Sequence, residues 1–144
     1  MESILVSACL LGVNCKYSGG NNLCPAVEAL KDRYHLIPIC PEVMGGLSTP
    51  RPPAERQGDR VINNAGTDVT EQYKKGAEEA ARLGSLFGCR IAVLKSRSPS
   101  CGCGVIYDGT FTGTKIPGNG VAAQHLKSLG YAILSEEDLP ASGV

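Results

Sequence analysis

The chemistry of this chain is most visible in its cysteines, which number seven among 144 residues. Thiolates act as nucleophiles and as ligands for zinc or for iron–sulfur clusters. The sequence starts at Met1-Glu2 and enters an apolar segment without a basic stretch, so we expect no export signal and a cytoplasmic protein. An odd number of cysteines in a reducing compartment argues against a complete set of disulfides. Metal binding or thiol chemistry is therefore the leading hypothesis.

The spacing of the cysteines disfavours the common zinc modules. Structural zinc sites usually pair cysteines with about two to four residues between them, whereas one residue separates Cys101 from Cys103 and no Cys-x-x-Cys pair occurs. Iron–sulfur clusters are also held by thiolates, and three ligands would leave one iron open to a substrate. Spacing alone does not choose iron over zinc. Taken singly, a free cysteine is more often a small buried side chain than a ligand.

Short apolar runs predict strands that would bring distant cysteines together. Cys9, Cys40 and Cys101 follow the first three runs, and ligands of a parallel sheet bind beyond the carboxyl ends of its strands. We therefore expect these three thiols to converge at one edge. Cys89 precedes the third run and is expected at the opposite edge. The runs are residues 4–8, 35–39, 90–94 and 131–134.

Two further cysteines are predicted to be structural or incidental. Cys24 belongs to a predicted helix, and Cys15 to an exposed loop. Helical periodicity predicts helices over 24–33, 69–87 and 121–129, and strand signals predict a brief strand at 60–63 and a hairpin over 105–111 that turns at Asp108-Gly109.

This order of elements predicts a Rossmann-like α/β layered sandwich. Its sheet should be mainly parallel with about four strands, in a single domain spanning residues 1–144. Residues 45–64 are rich in glycine and proline and too long for a plain connection, so we expect them to be functional.

Composition excludes several partners. Lys and Arg together number 14, as do Asp and Glu, so the formal net charge is zero and no global field would hold a nucleic acid polymer. No apolar run approaches the roughly 18–20 residues of a membrane helix, so we expect no membrane partner. The turn at 118–120 lacks the dinucleotide-binding spacing, which leaves NAD or ATP unsupported. The oligomeric state stays open, with a homodimer among the possibilities.

Five ordered strings resemble the thiouracil desulfurase family, a bacterial domain family formerly of unknown function. The match runs from about residue 4 to residue 134. One departure lies at Lys16-Tyr17-Ser18-Gly19, where the family has R-Y-D-G. The strings are S-A-C-L-L-G at 7–12, I-C-P-E-V at 39–43, T-P-R-P-P-A-E at 49–55, D-V-T-E-Q-Y-K-K-G-A at 68–77 and L-K-S-R-S-P-S-C-G at 94–102.

The resemblance implies a [4Fe-4S] cluster bound by Cys9, Cys40 and Cys101, the same three cysteines that the strand ends select. Its open iron would take sulfur from a small thiolated pyrimidine such as 2-thiouracil and release it as sulfide without net redox change, and such a cluster is expected to be lost on aerobic handling. The resemblance also implies Glu42 and Ser98 as acid/base partners. Pro99 holds Ser98 extended, so its hydroxyl could face the ligand edge, although turn formation is the simpler role.

Other side chains near these motifs have weaker indications. Ser100 competes with Ser98 for the same role. Lys95 could neutralise cluster charge but is more typical of a solvated strand end. Arg51 and Arg56 could close over the site, although pairing with surface carboxylates is the more common role for such residues.

Two other functions remain open from the residues alone. One is a metal- or sulfur-binding accessory protein without turnover. The other is a cluster-free thiol redox protein that uses Cys101 and Cys103, although a one-residue gap would strain a disulfide between them.

Overall fold

Four short strands of aliphatic and β-branched residues form one parallel sheet in the computed structural model, which describes residues 1–139. The last five residues of the predicted domain, 140–144, lie outside the described residues. The strands are β1 Ser3–Ser7, β2 His35–Ile39, β3 Ala54–Gln57, β4 Arg60–Asn63, β5 Ile91–Leu94, β6 Val105–Tyr107, β7 Lys115–Pro117 and β8 Ala132–Ser135. The helices are α1 Pro25–Glu28, α2 Pro41–Met44, α3 Thr70–Leu86 and α4 Val121–Ser128.

The order of strands in the main sheet is β2-β1-β5-β8, and all three pairings are parallel. The chain steps from β1 to β2 on one side and then crosses back to β5 on the other side of β1. The reversal of strand order therefore falls between β1 and β5, which is where sheets of this type bind ligands. The predicted fold class is confirmed, and Pro38 lies in an edge strand, where a missing N–H is tolerated.

Both faces of the sheet are buried, which explains the near-continuous apolar runs of its strands. Alternate residues of β1 point to opposite sides. Leu5 packs in a cluster with Ala80 of α3 and Leu126 of α4. Ile4 packs with Val27 of α1 on the other face. Within residues 1–139 no helix is long and apolar enough to cross a membrane.

The local predictions differ from the structure in three places, although the predicted strand at Arg60–Asn63 is present as β4. The first helix is only α1, continued by a 3₁₀ turn over Ala29–Asp32. The short helix α2 was not foreseen, and the predicted strand at Arg60–Asn63 has an unforeseen antiparallel partner, β3.

The predicted hairpin at 105–111 is also longer than expected. Its strands are β6 and β7, and the connection runs from 108 to 114. Asp108 Oδ1 accepts the N–H of Thr110, while Glu55 Oε1 accepts the N–H groups of Gly109 and Phe111. These side-chain acceptors hold an open loop in place of the two-residue turn.

Helix α2 lies directly against α3, and this contact needs glycine at position 76. A Cβ atom built on Gly76 would lie 1.8 Å from the carbonyl oxygen of Pro41. No side chain fits there, so the backbones of the two helices touch. The contact sets the position of Glu42 in α2 relative to Tyr73 in α3.

We predict that Gly76→Ala destabilises the protein, although alanine normally stabilises a helix interior by about 0.5–1 kcal/mol. Overpacking against Pro41 should instead lower the free energy of unfolding by about 1–3 kcal/mol. Unfolding in urea measures this change in the free energy of unfolding. Ser85→Ala, on the exposed side of α3, is the matched control and should change stability by less than about 0.5 kcal/mol. A Gly76→Ala variant as stable as wild type would show that α2 can move away from α3.

Candidate active site

A cavity of about 400 Å³ lies at the carboxyl edge of the sheet, where the chain leaves β1, β2 and β5. The three cysteines selected from the sequence line it. Cys9 lies in the 3₁₀ turn after β1, Cys40 is the residue that precedes α2, and Cys101 lies in the loop after β5. The structure thus brings the three sequence-selected thiols to one cavity. Glu42 and Ser98 line the same cavity.

Cys15 also lines this cavity, and the prediction of an exposed loop for it was wrong. Cys15 is only 8% exposed. Its carbonyl oxygen accepts the thiol of Cys40 at 3.7 Å. The chain reverses after Gly12, whose φ of 90° ends the 3₁₀ turn, and this reversal returns Cys15 to the site. The signal in the sequence that could have placed Cys15 in the cavity was its position six residues after Cys9 and three residues after Gly12.

Burial makes the thiol forms of these cysteines hard to ionise. The pKa of Cys101 is raised to about 12, chiefly by desolvation and in smaller part by the neighbouring Cys9, Glu42 and Cys40. Desolvation and then Cys40 raise the pKa of Cys15 to about 12. The pKa of Cys9 is also raised, chiefly by burial. Gathering several thiolates here therefore needs positive charge to compensate.

Ser7 connects the end of β1 to the start of the loop after β5. It is the last residue of β1 and is 2% exposed. Its hydroxyl accepts the N–H of Lys95, just after β5, at 2.9 Å. A hydrogen bond from Ser7 also lowers the pKa of Cys101, against the larger effect of burial. Sequence reasoning did not select Ser7.

Ser98 organises the loop that carries Cys101. Its hydroxyl oxygen accepts the N–H groups of Ser100 and Cys101, both at 3.1 Å. The turn-forming role considered for Ser98 is thus present. A serine oxygen has two acceptor positions and one proton, so this hydroxyl keeps only its proton to donate. Ser100 is 1% exposed and is not among the residues that line the cavity.

The Glu42 carboxylate accepts its side-chain hydrogen bonds at one oxygen. Oε1 accepts the hydroxyl of Tyr73 at 2.6 Å and Nε of Arg51 at 3.3 Å. The Arg51 side chain is only 4% exposed, so the expected pairing of Arg51 with a surface carboxylate was wrong. Its carboxylate partner is Glu42, inside the cavity wall.

The remaining basic candidates are held by other contacts. Lys95 lines the cavity and pairs with Glu136 at 3.1 Å, so it is not the solvated strand-end lysine that was expected. Arg56 donates to the carbonyl oxygens of Gly58 and Asn119 and to Gln124. Its partners are therefore neutral rather than a surface carboxylate.

Three cysteines are not among the residues that line the cavity. Cys24 caps α1, and Cys103 packs beside the core on the α3 and α4 side of the sheet. The pKa of Cys89 is raised by burial and by Glu2, which precedes β1. Cys89 lies two residues before β5, at the amino edge of the sheet, as predicted.

No three His, Cys, Asp or Glu side chains of residues 1–139 are grouped so that they could hold a metal ion together. Such a group would bind a single metal ion, whereas a cluster would be larger than one ion and would be held by thiolates that lie further apart.

These features define a layered α/β protein whose candidate active site is a thiol-lined cavity with a carboxylate in its wall. The family model for 2-thiouracil desulfurase matches residues 4–138. The chain therefore belongs to the 2-thiouracil desulfurase family, and the family identified from its motifs is confirmed.

Two proteins illustrate the likeness. The uncharacterized protein YbbK of Bacillus subtilis (strain 168) is 41% identical over 146 residues, which cover 94% of this chain and 97% of that protein. The solved structure of TudS, a [4Fe-4S]-dependent thiouracil desulfidase, is 45% identical and superposes with a TM-score of 0.91. That match covers 97% of this chain and 94% of TudS.

We predict that Ser98→Ala loosens the Cys101 loop even in the metal-free protein. Two backbone N–H groups would lose their acceptor, which typically costs about 1–3 kcal/mol where the groups are buried. The free energy of unfolding in urea should fall by that amount, and the amide of Cys101 should exchange hydrogen faster. Ser98→Thr keeps the hydroxyl and should restore both values. Unchanged exchange at Cys101 in Ser98→Ala would contradict this role.

Proposed function

We propose that this chain is a [4Fe-4S]-dependent desulfurase that converts the C=S group of a thiolated pyrimidine, such as 2-thiouracil, to C=O and releases sulfide. The observation that carries the proposal is the presence of Cys9, Cys40 and Cys101 in one cavity whose wall also contains Glu42. The [4Fe-4S] dependence of TudS, which shares the fold at 45% identity, supports the same cofactor here.

The donor set fits such a cluster. Buried thiols with raised pKa values lose their protons when a metal binds them, because the cation supplies the missing positive charge. Cys9, Cys40 and Cys101 would be the ligands, since they lie in the segments that follow three neighbouring strands. When bound, the cluster supplies a Lewis-acidic iron for the sulfur of the substrate.

Glu42 would move the proton. Oε1 is occupied by Tyr73 and Arg51, whereas Oε2 accepts no hydrogen bond from residues 1–139. Among those residues no buried side-chain oxygen lacks a partner, so Oε2 is accessible to solvent. Oε2 can therefore take a proton from a water whose oxygen attacks the carbon of C=S. Addition of that oxygen converts the C=S bond to a single C–S bond. The C–S bond then breaks as C=O forms, and sulfur leaves as hydrosulfide with the second proton of the water, with no change in oxidation state.

Ser98 would act as a donor. Because its oxygen already accepts two N–H groups, its proton is directed away from them. A hydroxyl in this state can stabilise negative charge that develops on the substrate or on the departing sulfide.

We predict that Cys9→Ala, Cys40→Ala and Cys101→Ala each lose the cluster after anaerobic reconstitution, because two thiolates do not hold a cubane firmly. Cys15→Ala and Cys89→Ala should keep it. Iron and acid-labile sulfide per chain, together with the visible absorption, give the result. Full iron in Cys101→Ala, or loss of iron in Cys15→Ala, would overturn this ligand set.

The controls separate ligand loss from damage to the fold. Cys89→Ala and Cys24→Ala remove thiols outside the cavity and should cost about 1–3 kcal/mol of stability with iron retained. Reconstituted wild-type protein should release sulfide from 2-thiouracil. A full cluster without sulfide from any thiolated pyrimidine would instead support an accessory protein that holds the cluster without turnover.

We predict that Glu42→Gln retains the cluster and lowers kcat for sulfide release by about 10²–10⁴-fold, the usual contribution of a general acid or base. Glutamine keeps the size of the side chain and an oxygen that can accept from Tyr73. Iron content and visible absorption should therefore match those of the wild type. Near wild-type turnover would exclude the role assigned to Glu42.

A further inference from the structure

The Glu42 carboxylate is anchored asymmetrically. Both of its protein donors, the Tyr73 hydroxyl at 2.6 Å and Arg51 Nε at 3.3 Å, bind Oε1. The side chain of Glu42 is 18% exposed and lines the cavity, and Oε2, which has no donor among residues 1–139, is accessible. An unanchored carboxylate would rotate and exchange its two oxygens. The two donors on one side fix which oxygen faces the substrate.

Tyr73 is a rigid anchor. It is 1% exposed and lies in α3, one turn before Gly76, where the backbones of α2 and α3 touch. The close helix contact therefore fixes the distance between the Tyr73 ring and Glu42. The Tyr73 hydroxyl has no other hydrogen-bond partner among residues 1–139. Its removal should thus affect Glu42 alone.

Arg51 anchors the same oxygen and a second element. Its guanidinium donates to the carbonyl of Cys15 at 2.8 Å, and to Ser48 and Thr49 at 3.2 and 3.0 Å. Because the Cys15 carbonyl also lies 3.7 Å from the Cys40 thiol, Arg51 connects Glu42 to the loop beside a proposed cluster ligand. Its removal should affect both proton transfer and cluster retention.

We propose that Tyr73 and Arg51 are positioning residues for the desulfuration reaction, holding Oε1 of Glu42 so that Oε2 faces the reacting water. This inference rests on the proposed function. It adds two residues that need not touch the substrate and act through Glu42. Tyr73 acts on orientation only, whereas Arg51 also supports the Cys15 loop.

The test uses reconstituted holoenzyme with 2-thiouracil. Tyr73→Phe should keep its iron and its KM, while kcat falls by roughly 10- to 100-fold, the usual range for a lost hydrogen bond to a charged group. Tyr131→Phe is the matched control because it removes a tyrosine hydroxyl outside the cavity lining, and its kcat should equal that of the wild type. In a Glu42→Gln background Tyr73→Phe should cause little further loss, since the carboxylate it orients is gone.

A second readout needs no cluster. In metal-free protein labelled with ¹³C at glutamate carboxyl carbons, the Glu42 resonance, assigned by its absence in Glu42→Gln, should shift in Tyr73→Phe and stay in place in Tyr131→Phe. Arg51→Lys is the second variant, because lysine keeps the charge but does not reproduce the fork of donors. It should lower kcat and also reduce the iron retained.

The outcomes distinguish the two proposals. Wild-type turnover in Glu42→Gln would overturn the role of Glu42 and the positioning inference together. An inactive Glu42→Gln beside a fully active Tyr73→Phe would overturn the positioning inference alone. The same would follow if Tyr73→Phe lowered kcat equally in both backgrounds, because Tyr73 would then act independently of Glu42.

Discussion

The parallel hydrogen bonds that β1 makes to β2 on one side and to β5 on the other determine where three chain segments end. Cys9, Cys40 and the loop that carries Cys101 all begin at those ends. Removing either pairing would separate thiols that lie more than thirty residues apart in sequence. The residues that follow the strands can diverge because the backbone ladder already fixes their starting points. The site therefore depends on the sheet more than on any single loop.

The thiols of this site carry no charge when no metal is bound. Desolvation and mutual repulsion raise the pKa values of Cys9, Cys15 and Cys101, so the metal-free cavity contains neutral thiols. A metal that binds only the folded state would add its binding free energy to folding. The apolar clusters on both faces of the sheet stabilise the fold around this site.

The strand-end thiols were predictable because they require only strand periodicity and the rule that parallel sheets gather their carboxyl ends. Cys15, Ser7 and Tyr73 were not, and a place over the site was only the less favoured of two alternatives for Arg51. Each of these residues reaches the site through a contact with a residue distant in sequence or through a reversal of a loop. Such features produce no periodic pattern in the sequence. Tyr73 illustrates the limit. Its position on the buried face of α3 follows from helical spacing, but its partner Glu42 is 31 residues away on a four-residue helix that propensity does not predict.

Helix α2 is too short to be stable by itself, so its orientation must come from packing. Pro41 starts it, and Gly76 of α3 allows the Pro41 carbonyl to approach the α3 backbone. One residue further along α2, Glu42 then meets Tyr73, one turn earlier on α3. Gly76 looks purely structural, and Tyr73 looks like an ordinary core aromatic residue. Together they set the direction of the Glu42 carboxylate, which also contacts Arg51. Core packing therefore determines the orientation of the Glu42 carboxylate. This orientation should be as rigid as the contact between α2 and α3.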